Sequence, residues 1–101
     1  MVETLKSIPD TIDGPDTALA HCNRGTALKT QGDLDGAIAE YRAALCLQPN
    51  NPMAHFELGR ALWTKGDSEA AFEEFHTAHT LAPSEPTIRE IYYVLMRQLE
   101  R

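Results

Sequence analysis

Cysteine is scarce in this chain: two residues in 101, Cys22 and Cys46. Two thiols 24 positions apart make neither a disulfide framework nor a zinc cluster. Their scarcity points to a reducing, cytoplasmic compartment. Basic residues are also few, nine against fifteen acidic ones, for a formal net charge of −6. Such a balance repels phosphate and argues against nucleic acid or an anionic membrane as partner. No apolar run approaches the roughly 20 residues that a membrane-spanning helix needs. Residues 1–10 lack a basic flank followed by an apolar stretch, so no secretory signal is read there. Sustained alternation of apolar and polar residues is missing as well, and no strand is predicted.

What is present is ordinary for one soluble domain: 43% apolar and 24% charged residues. A chain of this length buries roughly 60% of its unfolded surface or a little more, enough for a modest core.

The informative feature is a repeat. Shifted by 34 residues, the sequence falls on itself. His21 meets His55, Gly25 meets Gly59, Ala27 meets Ala61 and Leu28 meets Leu62. Gly32-Asp33 meets Gly66-Asp67, Ala37 meets Ala71, and Tyr41 meets Phe75. Ala44, Leu47 and Pro49 meet Ala78, Leu81 and Pro83. Two copies result, 18–51 and 52–85, and Pro86 opens a third that stops halfway. Each copy reads as two helices around a turn. The glycine of Gly-Asp can end one helix in a left-handed conformation, and the aspartate can cap the next. Asn51-Pro52 reads as a cap followed by proline at the first helical position. Helices are predicted near 16–31, 34–47, 52–65, 68–81 and 85–100. Gly25, Ala37 and Ala44, with Gly59, Ala71 and Ala78, are small enough for close helix approach, and Tyr41 and Phe75 fill the space beside them. Glycine inside a helix costs about 1 kcal/mol relative to alanine, so a packing reason is expected for Gly25 and Gly59.

These residues resemble the tetratricopeptide repeat, a helix–turn–helix unit of 34 residues. The second copy shows His55-x2-Leu58-Gly59-x2-Leu62, Ala71-x3-Phe75, Ala78 and Pro83; the first shows Gly25-x2-Leu28, Ala37-x3-Tyr41, Ala44 and Pro49. The likeness spans about 16–100. Histidine replaces the family's first aromatic in both copies, at His21 and His55, where it is expected to stack between helices. Arg24 replaces an apolar residue and is expected to reach solvent. The resemblance implies an all-α fold, a right-handed solenoid of antiparallel helix pairs with about five helices. The expected organisation is a tail over 1–15 and a repeat domain over 16–101, closed by a capping helix at 86–100. On that last helix Ile88, Ile91, Tyr92, Leu95, Met96 and Leu99 form an apolar stripe, with Thr87, Glu90, Arg97, Gln98 and Glu100 on the other side. Tyr93 and Val94 lie off the stripe and offer a self-association surface as the alternative to a plain cap. The tail carries apolar Val2, Leu5, Ile8 and Ile12; it is read as a frayed end, or else as packing on the first helix or a neighbouring molecule.

No catalytic constellation is legible, and no enzyme activity or cofactor is expected. Glu69, Glu73 and Glu74 read as a solvated helix face. His76 and His79 are three apart and, with Glu73, give a minor alternative of metal binding. Cys22 and Cys46 read as small apolar fillers.

The resemblance implies recognition of another protein or peptide through a concave groove lined by the first helix of each repeat. Carried over by position, the groove residues are Leu19, Cys22, Asn23, Thr26 and Lys29, then Met53, Phe56, Arg60 and Trp63, then Glu90, Val94 and Arg97. Phe56 and Trp63 flank Arg60, and exposed aromatics beside arginine have the composition of a binding hot spot. Alternatively, Trp63 packs on its neighbour helix. The mixture suits a ligand part apolar and part acidic. Asn23-Arg24 resembles part of the clamp by which chaperone-binding members hold a terminal carboxylate. Glu57 stands where the next cation or asparagine would be needed, so binding to heat-shock chaperones is not expected. The expected function is an adaptor or scaffold module, with a self-assembling homo-oligomeric unit, a dimer or a longer array, as the alternative.

Overall fold

A computed structural model describes residues 17–99, apart from the side chain of Leu99. The expectations for residues 1–15 and Glu100 lie outside the described residues. Among the described residues there are five helices and no strand: α1 (Ala18–Thr30), α2 (Leu34–Leu47), α3 (Pro52–Lys65), α4 (Ser68–Leu81) and α5 (Pro86–Leu99).

The caps predicted at Asp33, Asn51 and Asp67 form, and Thr17 adds one that was not predicted. Thr17 Oγ1 accepts from Ala20 N–H at the start of α1, and Asn51 Oδ1 accepts from Ala54 N–H ahead of Pro52. Asp33 and Asp67 accept from Gly36 N–H and Ala70 N–H, which satisfies early donors of α2 and α4. Gly32 and Gly66 hold φ of 90° and 104°, a left-handed turn that a Cβ would strain. There the amides of Asp33 and Asp67 reach back to the carbonyls of Leu28 and Leu62 at 2.8 and 2.9 Å. Each turn thus folds two helices into a hairpin.

Helices α1 and α2 pack as one pair and α3 and α4 as the next; α3 lies against α2, and α5 against α4. The close approach read from the small residues is real. A Cβ on Gly25 would sit 2.8 Å from Tyr41 Cε1, and one on Gly59 would sit 2.9 Å from Phe75 Cε1 and 3.2 Å from the Ala71 carbonyl oxygen. Tyr41 and Phe75 are accordingly fully enclosed, with Ala37, Ala44, Ala71 and Ala78 around them. On α5, Ile88, Tyr92 and Leu95 are buried and Ile91 and Met96 half-buried against the same core.

Three expectations fail on packing. Cys46 is exposed rather than a core filler, since it lies near the end of α2; Cys22 does pack on the core. His21 and His55 do not stack between helices. Each offers Nδ1 to a carboxylate of the helix that follows, Glu40 and Glu74, both at 2.7 Å. Glu74 is therefore a half-buried hydrogen-bond partner of His55 and not part of a solvated face. Arg24 likewise joins Glu40, with Nε at 3.4 Å.

Candidate partner-binding cleft

The first helices of successive pairs, α1, α3 and α5, carry the twelve residues carried over as a groove. A helix turns 100° per residue, so positions three, four and seven apart share a face. On α1, Leu19, Asn23 and Thr26 are exposed, and Cys22 and Lys29 are half-buried. On α3, Met53 and Arg60 are exposed and Trp63 is half-buried. On α5, Glu90, Val94 and Arg97 are exposed.

Phe56 departs from the expectation. Only 2% of it is exposed, and its ring meets Phe75 at a centroid distance of 5.7 Å, tilted by 59°. Helix α3 packs against both α2 and α4, so a large ring at this position gains more by turning inward than by staying wet; full burial of such a side chain is worth about 1.5–3 kcal/mol. Phe56 is an intra-repeat packing residue. It still acts on the surface, because the Arg60 guanidinium lies 5.8 Å from its ring centroid.

Around Arg60 a chain of charges crosses from α1 to α3. Lys29 Nζ donates to Glu57 Oε1 at 3.0 Å, and Arg60 Nη1 stands 3.8 Å from Glu57 Oε2. Lys29 is thereby drawn to a neighbouring carboxylate, while the Arg60 side chain is half exposed. Thr26 and the enclosed Tyr41 share a hydrogen bond of 2.9 Å between hydroxyls. Burial pushes the Tyr41 phenol above its usual range despite that bond. Burial also raises the Cys22 thiol, and the negative charge of Glu57 adds to the shift. A thiol so disfavoured as thiolate is a poor nucleophile, so Cys22 offers the groove volume rather than reactivity.

Arg60 and Trp63 do come together. With Thr64 of the same helix, Phe75 of α4, and Ile91 and Leu95 of α5, they line a cleft of about 180 Å³. Its walls are apolar, with one cation and one hydroxyl. Trp63 thus packs partly on the core and partly faces the cleft, which joins the two roles weighed for it. Glu90 and Val94 fall on a neighbouring cleft with Ile91 and Leu95. Thr64, Ile91 and Leu95 were not assigned to the groove from sequence. Ile91 is one 34-residue step beyond Glu57, and that register is the signal that points to it.

His76 and His79 turn to α5. His76 Nδ1 lies 2.7 Å from the Tyr92 hydroxyl, and His79 stacks on Tyr92 at 4.7 Å. Among the described residues no group of three or more histidine, cysteine or acidic side chains is placed to hold a metal.

Comparison with known families settles the fold's kinship. A TPR repeat model matches residues 25–66, and a tetratricopeptide repeat model matches 54–85. The chain belongs to the tetratricopeptide repeat family. Tetratricopeptide repeats are generally protein–protein interaction modules and typically non-enzymatic scaffolds. No curated protein matches the chain. No described helix of this tetratricopeptide protein is long and apolar enough to cross a membrane.

Proposed function

We propose that this tetratricopeptide protein is a cytoplasmic adaptor or scaffold that holds an extended peptide or a helix of a partner protein. The partner seats an apolar side chain in the cleft between α3 and α5, against Trp63, Ile91 and Leu95. An acidic group beside that anchor meets Arg60. Exposed Leu19, Asn23 and Met53 extend the contact surface along α1 and α3. The observation that carries the reading is the half-exposed guanidinium of Arg60 at an apolar cleft that already holds the chain's single tryptophan. An aromatic and an arginine at a pocket are the residues on which binding energy concentrates.

The test is a displayed peptide library selected on the wild-type chain and on the Arg60→Glu, Trp63→Ala double variant. Phe56 is left intact because its removal would open the core. Enrichment of peptides with an apolar residue next to Asp or Glu on the wild type, lost on the variant, supports the proposal. Equal enrichment on both chains refutes it.

A further inference from the structure

The 34-residue step that carries Gly25 to Gly59 arrives next at Tyr93. In the first two positions glycine admits the aromatic ring of the helix that follows, Tyr41 or Phe75, to within 3.0 Å of where a Cβ would stand. At the third, a side chain fills that place. The Tyr93 ring lies 5.4 Å from His79 and 5.8 Å from Tyr92. A helix placed on α5 as α2 is on α1 would meet the Tyr93 side chain where Gly25 and Gly59 leave room for a ring.

Among the described residues, helix α5 nevertheless keeps an unpartnered face. Glu90, Tyr93, Val94 and Arg97 share about one quarter to one third of the helix circumference at 100° per residue. That face points away from buried Ile88, Tyr92 and Leu95. Tyr93 is 49% exposed and Val94 46%. Beside them lies a cleft of about 220 Å³, lined by Glu90, Ile91, Val94 and Leu95 and almost wholly apolar. Among the described residues, neither Glu90 nor Arg97 is in an ion pair.

The arrangement is self-complementary. A two-fold axis crossing α5 midway between Tyr93 and Val94 lies equally far along the helix from Glu90 and from Arg97. In an antiparallel pair about that axis, Glu90 of each copy faces Arg97 of the other, twice over. Arg89 then falls opposite Gln98, which carries no charge to repel it. Tyr93 and Val94 meet at the centre, where Val94 of one copy enters the apolar cleft of the other. We propose that α5 is a homodimerisation surface, joining two copies of this chain through an antiparallel α5–α5 contact. Such an isologous contact closes on itself and yields a dimer rather than a filament. The chain's net charge of −6 opposes self-association in general. On this face the Glu90 and Arg97 charges cancel, which makes it a place where two copies can meet.

Sedimentation equilibrium of the intact chain over a concentration series tests this. The wild type is expected to move from 11.2 kDa toward twice that mass as concentration rises. Val94→Asp, Glu90→Arg and Arg97→Glu are each expected to weaken association about tenfold or more, because two contacts per dimer turn unfavourable. The Glu90→Arg, Arg97→Glu double variant restores the pairing and with it the association. All three side chains are exposed, and circular dichroism checks that each variant stays helical. Trp63→Ala, which addresses partner binding, leaves the dimer unchanged, so the two proposals fail separately. A mass of 11.2 kDa at every concentration, a dimer indifferent to Val94→Asp, or charge reversals that do not rescue one another would overturn the proposal.

Discussion

At Gly25 and Gly59 the helix gives up some propensity so that an aromatic ring can come close. A glycine paired with Tyr41 or Phe75 at a fixed step made this approach legible from sequence. The consequence is asymmetric. Alanine would recover about 1 kcal/mol of helix propensity at Gly59, but its Cβ would press on the Ala71 carbonyl, a backbone atom that cannot swing aside. Gly59→Val adds more bulk at the same place and is expected to destabilise the fold by about 2–3 kcal/mol, read as a lower urea midpoint. An unchanged midpoint would mean that the helices of a pair separate at little cost. The partners of the histidines were not legible in the same way. His21 and His55 were visible as a repeated pair, yet which group each meets depends on how the following helix is rotated, and that places Glu40 and Glu74 within reach.

Glu40 gives a pH signature. The His21 hydrogen bond holds its carboxyl below the usual range, with Arg24 adding to the effect. The folded state therefore binds this proton less readily than the unfolded chain does. Its contribution to stability is present above the ordinary carboxylate range and is lost as pH falls through the depressed value. The difference in urea midpoint between wild type and Glu40→Gln is expected at neutral pH and to shrink on acidification below that range. A difference that stays constant with pH would remove Glu40 from the acid response.

At the scale of elements, the five helices were readable because punctuation and periodicity agree: Gly-Asp turns, Asn51-Pro52, Pro86 and the apolar stripe of α5 point to the same boundaries. Less readable was how the last described element is held. Helix α5 has α4 on one side and docks through Tyr92, whose ring stacks on Phe72 at 5.5 Å and on His79 while its hydroxyl meets His76. Two substitutions separate those contributions. Tyr92→Phe keeps the stack and loses the hydrogen bond, for an expected cost of about 1 kcal/mol. Tyr92→Ala loses the stack and leaves a cavity, for about 3–5 kcal/mol, and chemical denaturation distinguishes the two. Similar costs would show that the hydroxyl, not the ring, secures α5.

For the whole molecule, the repeat sets α3 and α5 on either side of α4, and that spacing creates the cleft. Sequence position alone named Arg60 and Trp63 but put Phe56 with them. A 34-residue register tells which helix a residue is on; whether a large apolar ring turns in or out is decided by the helices on either side. Ile91 and Leu95 were read as the core stripe of α5 and missed as cleft walls for the same reason, since one stripe serves both.

Trp63 is the chain's only tryptophan, so its fluorescence reports directly on that cleft. The measurement is a titration of the intact chain with a peptide bearing an apolar residue beside an acidic one. Binding is followed in parallel by anisotropy of a label on the peptide. A saturable shift of Trp63 emission at the same midpoint as the anisotropy is the expected result, lost in Arg60→Glu. Saturable anisotropy with unchanged Trp63 emission would place the partner elsewhere and contradict the account.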